Sequence, residues 1–316
     1  MLDIKLDDKF AREPLRVEDG IPIFCETDPY VQNYERIAKD HVDAMRPGMD
    51  NPFIGDELWR ELDQSTRLLI EKHLAVGSSI LDVGVGLGRV LGTLAQYDRH
   101  GIDISMDYLR RARDAGIAVA FGRVEALPHK DETFDAVMAC DVLEHVFDLY
   151  GCVKQMLRVL KPGGYLFVRV PYREDLKVYL QEGLPYEFIH VRSFDENSIQ
   201  LLFQKVHGCT VLGVTTVAPY WQGETRLRFR VPASGDSIHS SIKVGDWKRM
   251  GIDSDGLRIL RSLAEVSSEE LVAWMNRMQQ DSPLLFRSMC RHLLWDIEMN
   301  VVVQKPKEPR SELGAR

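Results

Sequence analysis

"ILDVGVGLGRVL", residues 80–91, sets three glycines at alternate positions directly behind an apolar run that ends in an acid. Glycines spaced this way at the end of a strand let a ligand approach bare backbone. A nucleoside triphosphate loop would read G-x-x-x-x-G-K-[ST], and no lysine or hydroxyl residue stands in place here. The dinucleotide fingerprint G-x-G-x-x-G fits Gly84 and Gly86, but its third glycine would fall at Arg89. What stands instead is Asp82-x-Gly84-x-Gly86-x-Gly88, with an acid at its head and the third glycine one residue early.

Outward from this turn the chain alternates strand and helix. "SILDVG", "RHGIDIS", "IAVAFG", "FDAVMAC" and "YLFVRVP" read as strands, and "VLGTLAQY", "MDYLRRARDAG" and "YGCVKQMLRVL" as the helices between them. These strands are apolar without alternation, as a parallel sheet covered on both faces requires. "DENSIQLLFQKV" is a helix opened by Asp195 at its N-cap, followed by the β-rich "TVLGVTTVAPY". On the N-terminal side, "YVQNYERIAKDHVDAM" (30–45) and "GDELWRELDQSTRLLIEKHLAVG" have amphipathic helical spacing, the second closed by Gly77.

The expected fold is α/β: a seven-stranded, mostly parallel Rossmann-like sheet with helices on both faces. Residues 1–29 form an extended arm broken by Pro14, Pro22 and Pro29, and 30–77 a helical cover. The cofactor-binding sheet occupies 78–220 and is completed by a last strand at 298–306. Residues 221–297 read as a helical insertion before that strand, and 307–316 as a disordered tail. An insertion of this length is usually functional.

The 316 residues are 45% hydrophobic and 28% charged, the profile of an ordinary globular chain. A net charge of −8 argues against a broad nucleic-acid footprint. No apolar run reaches the ~18 residues a spanning helix needs. The five cysteines lack any C-x-x-C pair, so reduced thiols, a cytoplasmic location and no bound metal are expected.

Four blocks in order carry a family resemblance: "LDVGVGLGRVL", "GIDIS", "EALPHKDETFDAVMACDVLEHV" and "LRVLKPGGYLFVRVP". Over residues ~79–171 the chain resembles a class I S-adenosylmethionine-dependent methyltransferase, of the group that includes ubiquinone/menaquinone and small-molecule enzymes. The resemblance implies S-adenosylmethionine as cofactor, leaving as S-adenosylhomocysteine. Backbone at Gly84, Gly86 and Gly88 would close on its methionyl and ribose part, and Asp82 would orient its ammonium. The alternative for Asp82 is a turn-stabilising cap. Asp103, with Ile104 behind it, would take the two ribose hydroxyls, or be a solvated turn carboxylate. Where many relatives have an acid facing adenine, this chain has Arg123. Adenine recognition then falls to backbone near Val124, to apolar cover, or to Glu125.

"CDVLEHV" sets Asp141, Glu144 and His145 at the carboxyl end of the fourth strand, with Asp141 against the cofactor. His145 is either a base or a packing group. Beyond the fifth strand, "PYREDLKVYLQEGLPYEFIHVRSFDE" offers Tyr172, His190 and Arg192 toward the acceptor. His190 could take a proton from an acceptor hydroxyl or amine, or together with Arg192 tether its loop. In "TRLRFR" (225–230), Arg226 and Arg228 share a face that suits an anionic substrate, or simply faces solvent. The insertion's tryptophans make either a small core or a lid. "VEDGIPIF" (17–24) looks like the last strand of the zinc-ribbon module that partners some methyltransferases, without its cysteine pairs.

The expectation is therefore methyl transfer to a small-molecule acceptor, such as a sugar or secondary-metabolite intermediate, by a monomer or homodimer without nucleic-acid or membrane partners. The rival is a cofactor-binding regulatory or scaffold subunit without transferase activity.

Overall fold

The computed structural model describes residues 8–45, 56–222, 228–230, 239–240, 273, 276–278, 280–284 and 294–308. The elements in chain order begin with strands β1 (Arg16–Glu18) and β2 (Ile21–Ile23), then helices α1 (Pro29–Ala44) and α2 (Asp56–His73). The alternation follows as β3 (Ser79–Val83), β4 (Asp98–Asp103), α3 (Met106–Asp114), β5 (Ala118–Phe121), β6 (Phe134–Cys140), α4 (Leu149–Val159) and β7 (Leu160–Pro171). Helix α5 (Glu196–Gln200) continues as a π-helical stretch to Val206. Strands β8 (Thr210–Gln222), β9 (Arg228–Arg230), β10 (His239–Ser240) and β11 (Leu294–Gln304) complete the chain.

The described residues fall into two compact units. The first takes those within 1–173, 185–215 and 299–316, and the second those within 174–184 and 216–298. In the first unit the sheet order is β1-β2-β5-β4-β3-β6-β7-β11-β8. From β5 to β7 every pairing is parallel. Gly163 N–H donates to Lys305 O and Lys305 N–H to Gly164 O, so the end of β11 meets the start of β7 and the two run antiparallel. Strands β4 and β5 lie on one side of β3, and β6 and β7 on the other. That reversal opens a crevice at the carboxyl ends of β3 and β6, where such sheets bind ligands.

Both faces of the sheet are buried, as the unalternating strands require. Leu81, Val83, Val137, Ala139 and Val168 pack with Cys152, Val153 and Met156 of α4 and with Ile199. The intervening Ile80, Ala136, Met138 and Phe167 pack on the opposite face with Val31, Ile70, Leu109 and Ala112. The first three helices thus cover one face and α4 and α5 the other. Helix α1 is capped by Asp28, whose side chain accepts from Val31 N–H, and α5 by a full capping box between Asp195 and Ser198.

The α/β class holds, with differences of detail. The first unit's sheet has nine strands rather than seven, because the arm contributes β1 and β2. Asp19 and Gly20 both have positive φ, 52° and 78°, the two-residue turn that Asp-Gly favours between antiparallel strands. The helix expected at "VLGTLAQY" is only a 3₁₀ turn, Leu91–Thr93. Gly92 weakens it, and the Arg99 guanidinium takes the Leu91 and Gly92 carbonyls that a helix would have used. Helix α2 ends at His73 rather than at Gly77, which instead turns at φ 86° toward β3.

In the second unit, Tyr220–Gln222 of β8 pair antiparallel with β9, and β9 with β10. These strands fall partly in the stretch that reads as helical, and β11 starts at Leu294, ahead of the expected 298. A 3₁₀ turn, Leu176–Leu180, is capped by Asp175, and Tyr179 Oη donates to Glu174 at 2.6 Å. No described helix is long and apolar enough to cross a membrane.

Candidate functional site

At the end of β3 the chain turns through three left-handed glycines: Gly84 at φ 73°, Gly86 at 50° and Gly88 at 71°. A Cβ on Gly84 would stand 2.5 Å from Val142 Cγ2, and one on Gly88 2.7 Å from Ile117 Cδ1. A Cβ on Gly86 would meet nothing within 4 Å. Gly84 and Gly88 are therefore glycines for packing and conformation, whereas Gly86 faces open space. The loop is pinned from the neighbouring strand. Gly84 and Val85 N–H donate to Ile102 O, and Gly86 N–H donates to Asp103 Oδ2 at 2.9 Å.

Asp103 Oδ1 accepts from Ser105 N–H at 3.0 Å, so both carboxylate oxygens are oriented and each keeps a lone pair. Burial pushes its pKa up to about 6 against these backbone donors. Glu35 of α1 crosses over to accept from Met106 N–H (2.9 Å) and Ser105 Oγ (3.3 Å), which ties the helical cover to the start of α3.

Asp82 is 4% exposed, and its Oδ1 has no hydrogen-bond partner among the described residues. Burial first, and then the Asp103 charge, push its pKa well above the usual carboxylate range, while Arg169 opposes them. Asp141 adopts φ 57°, a conformation that costs a non-glycine residue about 1–3 kcal/mol. Its Oδ2 accepts from Arg169 at 2.6 Å, and its Oδ1 is buried and unsatisfied. Three acids thus converge on one crevice around Arg169, which also reaches Asp63 and Thr66 of α2. A ligand with cationic groups and hydroxyl donors fits such a cradle.

A second cluster is made of side chains. His145 stands edge-to-face on Tyr34 at 5.6 Å and on His190 at 4.6 Å, and its Nε2 lies 3.7 Å from Oε1 of the fully buried Glu144. Burial, reinforced by His190, pushes the His145 pKa down to about 3. The ring is neutral at physiological pH but a poor proton acceptor, which leaves His190 the better-placed imidazole for that task. The His190 loop is bolted down twice. Asn33 of α1 donates to Phe188 O and accepts from Glu187 N–H. Arg192 donates to the carbonyls of Leu143 (2.7 Å), Val146 and Phe147 (3.3 Å), while Val191 N–H donates to Glu144 O at 2.9 Å. Arg192 thus occupies the tethering position.

Arg123, where an acid is usual in similar chains, pairs with Asp28 and lies 5.0 Å over the Tyr30 ring. It clamps the start of α1 beside the 3₁₀ turn Val124–Ala126, in which Val124 packs on the core and Glu125 is half-buried. Ile104 packs against the opposite core face. Tyr172 Oη donates to Glu196 at 2.5 Å. Arg226 lies outside the described residues, and Arg228 stands in β9 opposite Gln222 of β8. Sequence reading missed Arg169, Asn33, Glu35 and the Tyr30–Tyr34–Phe147–Phe188 ring cluster. Arg169 carried one signal, a lone cation inside an apolar strand.

Residues 81–168 match the family described as "Methyltransferase domain". The chain is 31% identical over 148 residues to a ubiquinone biosynthesis O-methyltransferase of Xylella fastidiosa, covering 43% of this chain and 60% of that protein. It is 33% identical over 102 residues to an Arabidopsis thaliana tRNA (carboxymethyluridine(34)-5-O)-methyltransferase, covering 31% of this chain and 25% of that one. The chain therefore spans 60% of the length of the first relative and 25% of the second. Among solved structures, a chain from the complex between the Haloferax volcanii Trm112 methyltransferase activator and a methyltransferase aligns with TM-score 0.53 and 16% identity. That alignment covers 89% of this chain and 98% of that one, and shows a shared fold.

Proposed function

We propose that this chain, which carries a class I S-adenosylmethionine-dependent methyltransferase domain over residues 81–168, transfers the cofactor's methyl group to a small-molecule acceptor. The observation that carries the reading is the turn at Gly84–Gly88, left-handed throughout and open at Gly86, locked by Gly86 N–H to Asp103.

In this reading Asp103 receives the two ribose hydroxyls on its remaining lone pairs. The unsatisfied Oδ1 of Asp82 and that of Asp141 face the cationic methionyl end. Ile104, Val124 and Glu125 flank the base. Arg123 serves the adenine side indirectly, by holding α1 over it through Asp28 and Tyr30. When bound, S-adenosylmethionine supplies an electrophilic methyl on a sulfonium and leaves as S-adenosylhomocysteine. The chain's own task is to align the acceptor in line with that methyl and keep water out. His145 stands edge-to-face on Tyr34 of α1, the helix whose Glu35 binds Ser105 and Met106 just beyond Asp103, and this supports setting the histidine pair on the acceptor side of the same cleft. His190 is the proposed proton acceptor, and Tyr172 borders the acceptor side. The net charge of −8 favours a small acceptor over a polyanionic one, and the absence of any C-x-x-C pair among the five cysteines supports a cytoplasmic location.

Calorimetry with S-adenosylmethionine and S-adenosylhomocysteine tests the reading. Binding of both, with methyl transfer to some member of a metabolite panel, is the expected result. Failure to bind either would overturn it. Binding without turnover on that panel, and turnover on bulk tRNA, would each redirect the acceptor assignment.

A further inference from the structure

We propose that Glu144, His145 and His190 form a mononuclear site for a divalent first-row transition metal, set beside the methyl-transfer cleft. One donor atom from each residue can be chosen so that all three lie within 4.8 Å of one another. Glu144 Oε1 and His145 Nε2 are already 3.7 Å apart, and the two imidazole planes meet at 74°, so their lone pairs leave along different directions. Donors held about 2.0–2.2 Å from an ion stand roughly 3–3.5 Å from one another. The 4.8 Å spread is therefore at most about 1–2 Å wider than a closed site, a gap of side-chain size.

Three further observations point to an ion. Glu144 is completely removed from water, and a divalent cation is the charge partner such a carboxylate favours. Nε2 of His145 faces the Glu144 carboxylate, while Nδ1 on the other edge of the ring is shielded from solvent with no hydrogen-bond partner among the described residues, so the ring is not committed through Nδ1 to another group. Both ligand-bearing segments are also fixed from outside. Arg192 and Val191 N–H bind the His190 loop to the Leu143–Phe147 turn, Asn33 binds it to α1, and Tyr34 stands against His145. Rigid outer contacts of this kind hold metal ligands in place.

Asp141 is not part of this donor group, and its Oδ2 is committed to Arg169 at 2.6 Å. Two imidazoles and one carboxylate suit zinc, iron, cobalt or manganese better than magnesium or calcium, which prefer all-oxygen sets. Three protein ligands leave positions open to water or to an acceptor oxygen. Given the reading of the cleft as a methyl-transfer site, the ion would lower the pKa of an acceptor hydroxyl bound to it; His190, the proton acceptor in the ion-free chain, would be a ligand in the loaded one. Proton loss would pass to solvent, and the oxyanion would carry the electron pair that takes the methyl.

The test is a titration of chelator-stripped full chain with Co²⁺, followed by visible absorption, and with Zn²⁺ by calorimetry, with S-adenosylmethionine affinity measured in parallel. One ion per chain is expected, with ligand-field bands that change when His190 is replaced. His190→Ala and His145→Asn should each weaken Co²⁺ binding by more than about a hundredfold, beyond what loss of an outer-shell group causes. Thermal melting of both variants checks that they fold, and Glu144→Gln supplies a third, nearly isosteric change. Stoichiometry far below one, an unchanged Co²⁺ spectrum in folded His190→Ala, or displacement of Co²⁺ by equimolar Mg²⁺ would overturn the proposal. The two readings fail separately. A chain that binds S-adenosylmethionine but no ion refutes the metal site alone, and one that binds the ion but no cofactor refutes the methyl-transfer reading alone.

Discussion

The two sides of the crevice are built from different materials. The side proposed for the cofactor is backbone: three left-handed glycines, their N–H groups, and acids at strand ends. The side proposed for the acceptor is side chain: two histidines, a buried glutamate and a ring cluster, held by Asn33 and Arg192 from elements far away in sequence. Backbone sites tolerate almost no substitution at their glycines, because the cost is conformational. Side-chain sites can be loosened in steps, because each tether is one hydrogen bond among several.

The sharpest way to break that contrast is Gly84→Val. Its φ of 73° and the Val142 contact at 2.5 Å leave no room for a branched Cβ. Cofactor affinity should fall by more than about a hundredfold, measured by calorimetry, with strain of roughly 1–3 kcal/mol at the turn. Near-normal binding would mean the cofactor side is less rigid than drawn.

Asp103→Ala comes next. Losing charge-assisted hydrogen bonds of about 1.5–3 kcal/mol should weaken binding by roughly 10–100-fold. The same residue predicts a pH profile. Its pKa is pushed up to about 6, and ribose hydroxyls need the ionised form. Affinity should be flat above pH 7 and fall by up to about tenfold per unit once pH drops below about 6. Folding responds with the opposite sign. The native carboxyl holds its proton more tightly than the unfolded one, so this group favours the fold increasingly as pH falls from about 6 toward 3.8, the ordinary aspartate value. Lost binding at pH 5.5 with an undiminished melting temperature would separate the two effects.

On the acceptor side, Arg192→Met should leave cofactor affinity within about twofold while raising the acceptor KM several-fold. Two or three half-buried carbonyls lose their donor, at about 1 kcal/mol each. An equal loss of cofactor affinity would show that the two sides are mechanically one. Arg123→Ala is the smallest change. Its pair with Asp28 is partly exposed, so a stability loss of about 0.2–1 kcal/mol by denaturant titration is expected.

The same contrast explains what could be read from the chain in advance. Asp82, the glycines and Asp103 are encoded within a few residues of the strands that carry them, so the glycine turn and its flanking acids could be picked out from spacing, and the ordered blocks downstream supplied the family resemblance. The Asp19-Gly20 turn was equally local, yet the surrounding prolines masked it and the arm read as extended. Arg123 to Asp28 spans 95 positions, and Arg169 to Asp63 spans 106. No window of sequence contains both members of such pairs. The helix expected at 90–97 failed for a related reason: Arg99, eight residues beyond Leu91, takes carbonyls that propensity assigns to a helix. His145 and His190 were legible as residues, but their meeting at 4.6 Å depends on tethers that only folding brings together.

The short hairpin at the start of the sheet carries one more consequence. Ile23 lies beside Phe121, Phe24 N–H donates to Phe121 O, and Leu15 N–H donates to Ile23 O, so the outer rim of β5 is spoken for. Strip those residues away and a row of backbone donors and acceptors would face solvent, an invitation for a second chain to add its own strand. Residues 15–24 therefore cover that rim, and a truncation that removes them would register first as lost colloidal stability.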